Sequence, residues 1–195
     1  VQVDVRRRGD VQAMLRTCGE RFGRIDALVN NAGTTDRKLR TIIEVPYEVV
    51  QDIVSTNLLG AFICLKEFAS MQRRDGGGNI VNVTSLLAQR GHARAGTAAY
   101  GISKAAVEGL SEYAAVELRE KGINVNAVYP GVMVNTGFFE HLPEDEREKL
   151  EKPSVLNELV YLLCCLGPGE LTGGSFGCQN WKQHPDLLPL CRKYL

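Results

Sequence analysis

Short apolar runs alternate along the chain with longer segments of helical spacing. IDALVNNAG (25–33), NIVNVTS (79–85) and INVNAVYPG (123–131) have strand length and carry apolar residues at both odd and even positions. Such runs mark strands covered on both faces, as in a parallel sheet. VQVDV (1–5) alternates weakly and reads as another strand, and LTGGSFGCQ (171–179) as the last. Val11, Met14, Leu15 and Cys18 recur at helical spacing over 10–22. The pattern predicts one long helix over 46–74, opened by Pro46, and another over 97–122, stopped by Gly122. A third helix begins near Pro153 in PSVLNELVYLLCCL, while 34–45 and 85–96 read as loops. Gly76-Gly77-Gly78 reads as a turn; a phosphate loop would need the strand before it and the helix after it, and here the order is reversed. Alternating strands and helices predict βαβ units. The expected fold is a Rossmann-like, doubly wound parallel α/β sheet, in one domain spanning 1–195.

Composition narrows the functions. The 195 residues, 44% of them hydrophobic, suffice for one well-packed core. Basic and acidic residues number 23 each, leaving no surplus to meet the phosphates of a nucleic acid. Arg6-Arg7-Arg8 reads as a solvated helix start. No apolar signal core stands in VQVDVRRRGD, and LVYLLCCLG is far shorter than the roughly 20 residues of a membrane span, so no membrane partner is expected. Six cysteines without CxxC spacing read as reduced packing residues of a cytoplasmic protein, with no metal. His92, His141 and His184 lie far apart and show no ligand spacing. Asn82-Val83-Thr84 spells a glycosylation sequon, discounted because it falls inside an apolar strand.

The candidate chemistry starts from Tyr100 and Lys104, at the i, i+4 spacing that puts both on one helix face. A tyrosine hydroxyl can serve as acid and base near neutrality if its pKa falls from about 10 toward about 7, which takes about 4 kcal/mol. An ammonium near ~4 Å in a half-buried site supplies a few kcal/mol of that. Upstream lie Ser85 at a strand end, Asn57 in STNLLG, and NNAG (Asn30 to Gly33). Taken singly, each has an ordinary reading: a packed tyrosine, a snorkelling lysine, a strand-ending serine, a helix-capping asparagine.

In this order, and with YPG at 129–131, these elements resemble the short-chain dehydrogenase/reductase family over nearly the whole chain. The resemblance implies an oxidoreductase that moves hydride between NAD or NADP and an alcohol or carbonyl, with a 3-oxoacyl reductase among the candidates. It implies Tyr100 as acid/base, Lys104 as the residue that lowers its pKa and binds ribose hydroxyls, Ser85 on the substrate oxygen, and Asn57 holding a relay water. Asn30, Asn31, Ala32 and Gly33 would shape the adenosine side of the cofactor site. Asp4 and Val5 would meet the adenine ring. Pro130, Gly131, Met133 and Thr136 would belong to the loop that contacts the carboxamide. Helices 46–74 and 97–122 would form a homodimer or homotetramer surface.

The chain also departs from the family. No TGxxxGxG turn occurs in it, and VQVDV matches the third strand of the order 3-2-1-4-5-6, so IDALVNN is expected at a bare sheet edge. On its own the chain is expected to bind dinucleotide poorly and to be inactive, as a fragment of an enzyme. The alternative is a true short product, a catalytically inactive dimerisation partner of longer relatives. Ser85 and Tyr100 stand 15 positions apart, about two more than is usual in the family, an insertion that a loop absorbs cheaply. Phe138, Phe139 and Leu142 suggest an apolar lid, and Trp181 with Leu187-Leu188 a packing surface.

Overall fold

The computed structural model describes residues 1–72, 76–140, 142–179 and 181–195. Four parallel strands form a sheet in the order β1 (Ala27–Asn30), β2 (Gly78–Val83), β3 (Ile123–Tyr129) and β4 (Ser175–Gly177). Asn30 stands opposite Asn82, Val83 opposite Val128, and Tyr129 opposite Gly177. Parallel pairing makes every connection cross the length of the sheet, so the four carboxyl ends lie at one end of the molecule.

Side chains alternate across a strand, which sends Ile80, Ile123 and Val125 to one face and Val81 and Val128 to the other. The first face is covered by α1 (Arg8–Phe22), α3 (Gly60–Met71) and α4 (Ala98–Glu117) through Val11, Leu15, Phe68 and Ala114. The second is covered by α6 (Asn157–Cys164) and α7 (Leu188–Tyr194). Trp181 and Leu187 are buried in that second core, so they pack within their own chain, while Leu188 stays exposed. Asn82, the sequon residue, is fully buried and bonded to Asn30 and Ser111.

Three sequence expectations are corrected. First, residues 1–5 form no strand. A strand needs a neighbour for its backbone groups; instead Asp4 accepts from the Arg6 amide and guanidinium, and the Arg7 amide bonds the Asp4 carbonyl, closing a turn into α1. β1 is therefore the outer strand of the sheet, as expected, with Val29 42% exposed. Second, the helix expected over 46–74 is α2 (Tyr47–Val54), a π-helical turn (Ser55–Leu59) and α3, with 73–74 outside the described residues. The run Tyr47–Met71 is long and apolar enough to cross a bilayer by length and composition, which the earlier reading of apolar stretches missed. In this fold the run packs through Ile53, Leu65 and Phe68, which are buried, and Glu67 binds Arg8 and Gln12. Third, α4 ends at Glu117; a 3-10 turn leads on to Gly122, whose φ of 68° suits glycine.

The mixed segment 132–152 contains a 3-10 turn (Gly137–Phe139) and α5 (Glu144–Arg147), and it is closed by a bridge between Val134 and Glu151.

Candidate active site

Three strands deliver their following residues to one place. β1 runs into NNAG, β2 into Thr84 and Ser85, and β3 into Pro130 and Gly131. α4 lies across these ends and presents Tyr100 and Lys104. The Lys104 Nζ lies 5.9 Å from the Tyr100 ring centroid and donates to the Val83 carbonyl at 2.7 Å. A Cβ on Gly33 would stand 3.5 Å from that Nζ and 3.3 Å from the Asn57 Oδ1, so the NNAG backbone comes as close as a glycine permits. The Ser85 side chain lies near enough to Tyr100 to pull its pKa down, and it accepts from the Leu87 amide, capping the 3-10 turn Leu86–Ala88. Phe138 meets the Tyr100 ring edge-on at 5.8 Å. Tyr100, Lys104, Ser85, Asn57, Gly33 and Phe138 thus form one cluster.

Asn57 sits in the π turn and is 1% exposed. Its Oδ1 accepts from the Thr34 amide at 2.7 Å; its Nδ2 donates to the Thr34 carbonyl and to Ser103 Oγ, each at 2.9 Å. Ser103 Oγ donates in turn to the Tyr100 carbonyl at 2.7 Å. Asn57 therefore ties the loop after NNAG to the turn of α4 that carries Tyr100. Sequence reasoning missed Ser103 and Thr34. Ser103 sits three residues past Tyr100, but nothing local shows that its partner is Asn57.

The electrostatics differ from expectation. Burial raises the Tyr100 hydroxyl above its ordinary value, and the Ser85 hydrogen bond pulls it only partly back. Burial also lowers Lys104 to about 8. The lysine was expected to depress the tyrosine; instead its ammonium is turned to a strand carbonyl, and desolvation disfavours the charged form of each group.

The remaining cofactor candidates divide. Asn30 is spent on Asn82 and the Ala61 carbonyl, so it braces the sheet end. Asn31 and Ala32 are exposed just before Gly33. Asp4 is held down to about 2 by Arg6, which also binds Asp52, and Val5 packs against Gly60. Gly131, with φ of 69°, lies by Gln179, and the Pro130 carbonyl accepts from Cys178 Sγ. Met133 is exposed. Thr136 Oγ1 accepts from the Phe138 amide at 3.4 Å and so supports the ring against Tyr100. His141 lies outside the described residues. Lys104 has three N–H donors and spends one on Val83, so its donor set suits the hydroxyls of a nicotinamide ribose.

Residues 1–161 match the family described as enoyl-(acyl carrier protein) reductase. The 3-oxoacyl-acyl-carrier-protein reductase FabG of Staphylococcus epidermidis is 37% identical over 135 residues, 69% of this chain and 54% of that relative. A short-chain type dehydrogenase/reductase of Picea abies is 38% identical over 138 residues, 71% of this chain and 50% of the relative. The chain spans about half the length of the curated relatives it matches. Among solved structures, ElxO with NADP bound superposes with a TM-score of 0.74 at 29% identity, covering 91% of this chain and 75% of ElxO. A short chain dehydrogenase from Mycobacterium smegmatis gives 0.75 at 25% identity, covering 92% and 69%.

Proposed function

This chain belongs to the short-chain dehydrogenase/reductase family, and from that premise we propose that it interconverts an alcohol and a carbonyl with NAD or NADP, using Tyr100 as acid and base. The observation that carries this reading is the convergence of Ser85, Tyr100, Lys104 and Gly33 at the carboxyl end of the sheet. A nicotinamide cofactor, when bound, supplies or accepts the hydride. The chain's own residues handle the proton. In the reducing direction, Tyr100 Oη gives its proton to the substrate oxygen while Ser85 Oγ orients that oxygen. In the oxidising direction Tyr100 takes the proton back. Lys104, lowered to about 8 by burial, is still mostly a cation at neutral pH, and that cation stabilises tyrosinate. The Asn57 amide is committed to Thr34 and Ser103, so a relay water would have to meet its backbone carbonyl.

The names of the relatives point to 3-oxoacyl thioesters as the first substrates to try. In a chain that also carries a glycine-rich cofactor turn, oxidation of NADPH or NADH on addition of such a thioester, or of another small ketone, is the expected result. Failure across thioesters, steroids, sugars and secondary alcohols would contradict it.

A second reading keeps the fold and drops turnover: a dimerisation partner of longer relatives. It is favoured by exposed apolar residues on two helices, Leu59 and Phe62 on the first and Ile102, Tyr113 and Val116 on α4. The same faces suit a homodimer or homotetramer, and light scattering on the eluting protein distinguishes these from a monomer.

A further inference from the structure

We propose that Glu108 is a positioning residue that holds Ser85 against Tyr100, by gripping both ends of the short segment that carries the serine. Tyr100, Lys104 and Glu108 follow at i, i+4 and i+8 on one side of α4. Each meets one of three consecutive residues leaving β2. Lys104 Nζ binds the Val83 carbonyl, Glu108 accepts from Thr84 Oγ1 at 2.5 Å, and Tyr100 meets Ser85. The same Glu108 oxygen accepts from Gln89 Nε2 at 3.1 Å. Thr84 precedes the serine and Gln89 closes the 3-10 turn that follows it. One carboxylate oxygen therefore clamps both flanks of Ser85.

The turn can lie this close because Gly101 offers no side chain: a Cβ there would stand 3.3 Å from the Leu87 carbonyl. Glu108 makes no ion pair among the described residues, so its carboxylate is committed to these two neutral donors. A charged acceptor for a hydroxyl and an amide is stronger than a neutral one. Thr84 is further pinned by its amide on the Val128 carbonyl at 2.7 Å. The Ser85 side chain has one backbone restraint among the described residues, the Leu87 amide at 3.2 Å, so its direction depends on the clamp. This inference rests on reading Ser85 and Tyr100 as the reacting pair.

The test reads the hydrogen bond rather than turnover. The chain is labelled with tyrosine carrying carbon-13 at Cζ, and the Tyr100 resonance is assigned by its loss in Tyr100→Phe. Ser85→Ala displaces that resonance by removing the hydroxyl beside it. Glu108→Ala should displace it equally far in the same direction, and the double variant should move it no further. Glu108→Gln keeps an acceptor oxygen and should leave it in place. An unmoved resonance in Glu108→Ala, an additive double variant, or a Gln variant displaced as far as Ala would overturn the proposal. If Glu108→Ala does not fold, Gln89→Ala carries the test: it must move the resonance in the Ser85→Ala direction, and no movement would overturn the clamp. The activity can fail while this result stands, and the clamp can fail while the enzyme turns over.

Discussion

Lys104 holds a buried ammonium set against the Val83 carbonyl and the Tyr100 ring, and that has a measurable consequence. In the folded chain it loses its proton near about 8, against 10.5 for the ordinary side chain. Between those values the unfolded chain binds more protons, so stability attributable to this residue rises with pH through that window. Below it the full burial penalty stands, roughly 3 kcal/mol. Lys104→Met has no proton to lose. The stability of the variant minus that of the parent should therefore shrink by up to about 3 kcal/mol from neutral pH to about 10.5. Taking the difference removes the opposing effect of Cys64 and Cys164, whose thiols are raised to about 11 by burial and weaken both proteins at alkaline pH. A difference that stays flat in urea unfolding would contradict a buried ammonium. The Tyr100–Lys104 pairing was legible because i, i+4 spacing is local. The directions of their pKa values were not, because burial comes from Phe138 and from strand ends far away in sequence.

The helical run from Tyr47 to Met71 shows what pattern reading resolves and what it does not. Its apolar face was plain, but one extra residue in the π turn is invisible to a periodicity that tolerates drift. Asn57 occupies that turn and closes three hydrogen bonds, one buried and two partly buried. Asn57→Ala leaves the Thr34 amide and carbonyl and Ser103 without it, and should cost at least about 2 kcal/mol, read as a lower urea midpoint with an unchanged slope. A cost within ~0.5 kcal/mol would mean that the clamp contributes no more than an ordinary surface site. At Gly60, where α3 begins, a Cβ would lie 2.6 Å from Val5 Cγ2. Gly60→Ala should cost about 1–3 kcal/mol and loosen residues 1–7, so that trypsin cuts faster at Arg6, Arg7 and Arg8. Equal cleavage rates would show that Val5 is not held there. The inner strands were legible because burial on both faces gives continuous apolar runs. The last strand was overdrawn: beside Val125, the Thr172 hydroxyl replaces a backbone partner, so regular pairing begins only at Ser175.

At the scale of the whole molecule, the α/β architecture and the meeting of NNAG, Ser85 and Tyr100 at one end of the sheet could be read from the order of motifs. The weak strand at 1–5 could not be judged locally, since a strand exists only with a neighbour, and none pairs with it here. β1 presents an open parallel edge with Val29 half-exposed, an invitation to association. A charge there, as in Val29→Lys, should reduce concentration-dependent aggregation in light scattering, whereas unchanged aggregation would point to the apolar helix faces instead. The central claim is that Tyr100 is the proton donor and acceptor at this site. It is tested most directly in a chain that also carries a glycine-rich cofactor turn, by the rate of NADPH-dependent reduction of a 3-oxoacyl thioester in Tyr100→Phe against the parent, with cofactor binding followed by thermal shift. The predicted result is a loss of kcat/KM on the order of 10²–10⁴-fold with the thermal shift retained. A Tyr100→Phe protein that turns over within about tenfold of the parent, ~1.4 kcal/mol in barrier height, would contradict the assignment.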